Sequence, residues 1–151
     1  MSKRYSWRPA AMICAVLFSG CFGSPSVSKV LVELKLDTEP LTDADVRIIP
    51  KDDPSLGDGC GGRTAADGKV EILVSSKKPM RPGRYVVLVT KTVGKDGTAI
   101  KMDEDIAVRP GRDGAGRNSL PAIYNDRERS PLIVTLSAGE NTVPLVLKKQ
   151  P

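Results

Sequence analysis

ADGKVEILVSSKKPMRPGRYVVLVT, residues 66–90, reads as turn, strand, break and strand. Asp67-Gly68 is a tight-turn signal. Val70, Ile72 and Val74 alternate with Glu71, Leu73 and Ser75, the two-residue period of a strand with one strongly apolar face. Pro82-Gly83 then opens a second run in which Tyr85, Val87 and Val89 face one way and Val86 and Leu88 the other. A strand apolar on both faces is expected at the centre of its sheet.

Working outward, the same period recurs. Val30, Val32, Leu34 and Leu36 alternate along one segment, and Val46 and Ile48 mark another that ends at Pro50. Ile100, Met102, Ile106 and Val108 give a weaker alternation, and Leu132, Val134 and Leu136 a further strand. Val143, Leu145 and Leu147 form the last one. Pro144 lies on its opposite parity and cannot donate a ladder hydrogen bond, which places this strand at an edge. Residues 51–64 (KDDPSLGDGCGGRT) and 109–119 (RPGRDGAGRNS) read as long loops. No segment of 29–148 carries a helical period. About seven short strands separated by turns predict an all-β, antiparallel two-sheet sandwich, transthyretin-like or Ig-like.

The chain of 151 residues suits one domain of ordinary size, and its 14 Gly and 12 Pro suit many turns. The net charge of +5 is unevenly placed: Lys3, Arg4 and Arg8 precede an apolar run, and no acid occurs before Glu33. Without the first 20 residues, 20 basic residues stand against 18 acidic ones, which offers no electrostatic case for nucleic acid. Histidine is absent, removing the commonest general base and the commonest metal ligand together.

Residues 1–20 have the layout of a secretory signal: a basic start, then Ala10 to Phe18 as an apolar run too short for a mature membrane span. The ending Leu17-Phe-Ser-Gly-Cys21 resembles the bacterial lipobox, in which the cysteine thiol receives diacylglycerol and the new amine is acylated. The resemblance implies lipidation of Cys21 and anchoring in a membrane of the cell envelope. Phe22, where an Asp would signal inner-membrane retention, allows sorting to the outer membrane. The competing reading is ordinary cleavage near Gly20 with an unmodified thiol. Residues 21–28 are small, polar and Pro-containing, a short tether ahead of the domain at 29–148.

Four motifs in order resemble carboxypeptidase regulatory-like domains: Glu39-Pro-Leu-Thr-Asp-Ala-Asp-Val46, Thr64-Ala-Ala-Asp-Gly-Lys-Val70, Pro82-Gly-Arg-Tyr-Val-Val87, and Leu120-Pro121 with Tyr124, Ser130-Pro-Leu132 and Gly139-Glu-Asn141. The resemblance implies a transthyretin-like (prealbumin-like) sandwich and a structural or interaction module with no catalysis of its own. The enzymes built on related sandwiches need residues missing from this chain. Hydroxyisourate hydrolases and intradiol dioxygenases both use His, and no Ser/His or Cys/His pair exists here. The expectation is no enzyme, no metal and no cofactor.

The candidate contacts are few. Arg109, Arg112 and Arg117, with Arg127 and Arg129 beyond them, can meet a glycan or another anion, or form a solvated loop. The clusters Asp52/Asp53/Asp58 and Asp103/Glu104/Asp105 match no calcium-loop spacing and read as solvated acids. Cys60, in Gly-Cys-Gly-Gly, is the thiol left over: it forms an intermolecular disulfide or stays inert. Tyr85 reads as core, and Tyr124 as a tyrosine packed or hydrogen-bonded at a corner of the sandwich. The expected partners are a membrane, through the N-terminal lipid, and an envelope protein or glycan met by loops 51–64 and 109–120.

Overall fold

The computed structural model of the chain describes residues 25–75, 77–94, 97, 99 and 116–149. Ten strands run through them: β1 (Val27–Leu36), β2 (Glu39–Pro40), β3 (Asp45–Pro50), β4 (Cys60–Arg63), β5 (Lys69–Leu73), β6 (Gly83–Thr90), β7 (Thr92–Val93), β8 (Arg117–Asn118), β9 (Ile133–Leu136) and β10 (Gly139–Leu147). Two four-stranded sheets result. In the first, β1 is flanked by β10 on one side and by β5 and β2 on the other. The second has the order β4-β3-β6-β9, and β7 and β8 form a small separate pair. All ladders are antiparallel save one, the long parallel pairing of β1 with β10.

One core fills the space between the two sheets. From the first come Val30, Val32 and Leu34 of β1, Val70 and Ile72 of β5, and Val143 and Leu147 of β10. From the second come Val46 and Ile48 of β3, Tyr85, Val87 and Val89 of β6, and Leu136 of β9. The inward residues are those that the alternation assigns, and each fully buried Val or Leu contributes about 1.5–3 kcal/mol of transfer free energy. Val27 is also buried, three positions before Val30, because the β1–β10 register shifts between Val27 and Lys29 and resets the alternation. The outward face of the first sheet carries cross-strand ion pairs instead, Lys29–Glu71 at 2.9 Å and Lys69–Glu33 at 2.8 Å.

β6 is central as expected, paired with β3 and β9, and all five residues Tyr85 to Val89 are buried. Segment 126–132 is tied to this sheet. Ser130 Oγ donates to Val87 O at 3.1 Å, and Arg127 Nη2 to Pro50 O of β3 at 3.0 Å. β10 is an edge of its sheet, with Pro144 exposed on it, as its proline predicts. The reading of 51–64 as loop throughout is corrected: Pro54–Leu56 is a 3-10 turn and Cys60–Arg63 is a strand at the edge of the second sheet. Of the weak alternation over 99–108 only Ala99 is among the described residues, and it makes an isolated bridge to Val93.

Candidate functional site

The direction of β1 sorts every loop to one of two ends. At its start, Val27 N donates to Met80 O at 2.8 Å, Gly139 N to Ser26 O at 2.9 Å and Val74 N to Ser28 O at 3.0 Å. Arg81 N reaches Leu56 O at 2.9 Å. Loops 51–59, 74–82 and 137–139 therefore share this near end. At the far end, Asp37 N donates to Leu147 O at 2.7 Å, Leu34 N to Gly68 O at 2.8 Å and Asp43 N to Thr64 O at 3.2 Å. β7 follows directly on the far end of β6, and its partner β8 carries Arg117.

Loop 51–59 and residues 116–120, the described end of the second loop, thus lie at opposite ends of the domain. Loop 51–59 is beside the start of β1, and Arg117 is exposed at the far end. Among the described residues the two do not combine into one site. Arg109, Arg112 and Cys21 lie outside the described residues, as do Asp103, Glu104 and Asp105. Arg127 is occupied with the Pro50 carbonyl, and the backbone N–H of Arg129 donates to Asp126 Oδ1 at 3.1 Å.

The acidic loop is held by local bonds. Asp53 caps the 3-10 turn, its Oδ1 accepting from Ser55 N at 2.8 Å. The hydrogen bonds from Ser55, and more weakly the charge of Arg81, hold its carboxyl below the usual range. Asp52 pairs with Arg84 at 3.3 Å, and Asp58 lies 4.0 Å from Lys78. The carboxylates point to separate partners. Among the described residues no three His, Cys, Asp or Glu side chains converge as a metal site would require. Asp53, Ser55, Leu56, Arg81 and Pro82 line, with Pro25, a shallow depression of about 380 Å³ beside the entry to β1.

Cys60 is half-buried on β4 and packs against the core. Burial pushes its thiol up to about 11, away from the low values that reactive cysteines show. The glycines around it, which suggested a loop, serve packing. Gly59 has φ 84°, and a Cβ on Gly62 would lie 2.7 Å from Val70 Cγ2 of the opposite sheet. The missing Cβ lets the edges of the two sheets approach at β4 and β5.

Both tyrosines act as braces. Tyr85 has no exposed surface, and its hydroxyl donates toward Arg81 O at 2.6 Å, with Leu56 O at 3.1 Å. Burial pushes its hydroxyl pKa up. Tyr124 is buried in a 3-10 turn, Ala122–Asn125, and its hydroxyl accepts from Lys148 N at 2.8 Å, binding this turn to the end of β10. Thr64 was noticed only as part of a motif. Its buried Oγ1 accepts from Ala44 N at 2.9 Å and clamps the far-end turns together. Its polarity inside an otherwise small-residue turn was the available signal.

No family model matches the chain. No curated protein matches it either. Among solved structures it is similar to a 9R-lipoxygenase from Cyanothece PCC8801, at 14% identity and a TM-score of 0.42, over 80% of this chain and 16% of that one. At that identity and score the likeness carries nothing about activity. Among the described residues no helix is long and apolar enough to cross a membrane.

Proposed function

We propose that the chain is a lipid-anchored protein of a bacterial cell envelope, sorted to the outer membrane, whose β-sandwich is a non-catalytic structural or interaction module of the carboxypeptidase regulatory-like, transthyretin-like kind. The observation that carries the reading is the placement of Cys21. It stands where the apolar run Ala10 to Phe18 ends and six positions before β1 begins at Val27. A multiply acylated cysteine anchors firmly, since each buried methylene contributes about 0.8 kcal/mol.

The finer fold draws support from where the motif residues sit. Thr64 and Asp67-Gly68 build the turn into β5, and Pro82-Gly83 opens β6. Asn141 closes the β9–β10 turn, its Oδ1 accepting from Ser137 N at 2.8 Å. A non-catalytic role is favoured by a chain without His, by carboxylates engaged with separate partners, and by a thiol held protonated.

The test is Cys21→Ala in a bacterial host fed an alkyne fatty acid. The wild-type protein takes the label and sediments with membranes, and the variant does neither. A variant that still partitions with membranes refutes anchoring through Cys21. The second reading, a glycan or anion site on Arg109, Arg112 and Arg117, is favoured by the exposure of Arg117. It predicts binding to envelope glycans that weakens when Arg112 and Arg117 are neutralised, and the absence of binding removes it.

A further inference from the structure

We infer that, in the membrane-anchored protein, the end of the sandwich formed by loops 51–59, 74–82 and 137–139 rests against the lipid headgroups, while the end carrying Thr64, Asp67 and Arg117 is presented away from the bilayer as the partner-facing surface. This rests on the reading of Cys21 as the lipid anchor. The first ground is length. Six residue steps join Cys21 to Val27, and at about 3.6 Å each a fully extended chain spans only about 22 Å. The second is direction. β1 runs ten residues from Val27 to Leu36, about 33 Å at strand rise, so the far end stands a full strand length beyond the tether.

The leash is thus shorter than the domain it holds, and it enters at one end. The bonds of Val27 to Met80 O and of Gly139 N to Ser26 O fix the chain among the near-end loops immediately after the tether. This end carries a small positive excess, with Lys51, Lys77, Lys78, Arg81 and Arg84 against Asp52, Asp53 and Asp58. Arg84 pairs with Asp52 at 3.3 Å, Lys78 approaches Asp58 at 4.0 Å, and Arg81 faces Asp53 across the depression at the tether. Proximity to the bilayer is set by the covalent leash, and the small positive excess adds only an attraction that salt screens. Loop 51–59 is thereby turned to the membrane and Arg117 away from it.

The test uses the acylated mature chain, beginning at Cys21, in vesicles of phosphatidylethanolamine and phosphatidylglycerol that include a headgroup-nitroxide lipid. A fluorophore is placed through Lys78→Cys at the near end or Asn118→Cys at the far end. The native Cys60 is slow to label because its thiol stays protonated. The near-end probe is expected to be quenched several-fold more than the far-end probe, with little change at high salt. Equal quenching, or stronger quenching at position 118, overturns the orientation. Quenching that disappears with salt overturns the leash as its cause. Intact mass on the same samples separates the two layers: a chain without acyl groups on Cys21 overturns the anchoring reading, and this inference with it.

Discussion

Removing one oxygen from Tyr85 tests whether the near end is braced as described. Tyr85→Phe keeps the ring, which is fully buried in the core, and deletes only the hydroxyl that donates to Arg81 O at 2.6 Å. The net loss of such a bond is about 1 kcal/mol. Leu56 O keeps its other donor, Arg81 N at 2.9 Å, but the Arg81 carbonyl loses its partner in a part-buried setting. That adds up to about 1 kcal/mol more. The expected cost is about 1.5–2 kcal/mol, or about 4–8 °C in Tm for a domain of this size. Tyr124→Phe is the internal control. Its hydroxyl accepts from Lys148 N, and Lys148 is exposed, so water replaces the lost acceptor and the cost stays near 0.5–1 kcal/mol. Urea titration of both variants, read at equal m-value, measures the difference. A Tyr85→Phe cost below about 0.5 kcal/mol, or one smaller than that of Tyr124→Phe, refutes the idea that the hydroxyl holds the loop around Arg81 to β6.

Three further outcomes are expected. Gly62→Ala drives a methyl to 2.7 Å from Val70 Cγ2 where β4 and β5 approach and costs about 1–3 kcal/mol by chemical denaturation, whereas Gly97→Ala, where φ is +83° but no atom lies within 4 Å, costs only the backbone strain of about 1 kcal/mol. Cys60 in the native protein is alkylated by iodoacetamide about 100-fold more slowly than in urea at pH 8, the ratio that two pKa units impose, and gives no dimer band on non-reducing gels; rapid native alkylation or a reductant-sensitive dimer contradicts the packed, protonated thiol. The same group sets an alkaline limit. The thiol's ordinary value of 9.0 is raised to about 11 in the fold, so the unfolded chain releases the proton first; the stability this confers is complete below about pH 9 and is lost as pH rises to about 11. Melting curves across that window should fall more steeply for wild type than for Cys60→Ala.

The strands were legible where one face alone is apolar. Val30, Val32 and Leu34, or Val70 and Ile72, give the period directly, and the doubly apolar run from Tyr85 to Val89 placed β6 at the centre. Pro144 likewise marked an edge, because a missing N–H is a local property that no tertiary contact restores. What stayed hidden depends on neighbours distant in the chain. Cys60–Arg63 reads as loop because glycine has low strand propensity, yet two of its residues are glycine because another strand comes too close for a side chain. The parallel partnership of β1 and β10 leaves no mark on either segment. Nor does the sorting of loop 51–59 and residues 116–120 to opposite ends, which follows only from strand order. For the candidate site, loop 51–64 reads as solvated acids, and Asp52, Asp53 and Asp58 are exposed; the residue types do not show that each has a neighbour of its own.

The pairing of β1 with β10 has a consequence in time. The first strand is held along nearly its whole length by the last, Lys29 matched to Glu140 and onward to Leu36 with Leu147, across a separation on the order of 100 residues. A chain emerging from its N-terminus offers β1 no such partner until almost every residue has appeared. The sheet stays open through synthesis, and an unfinished chain keeps its apolar strands unlocked. If the chain is exported as proposed, it crosses the membrane before it folds, and this late pairing delays closure of the sheet.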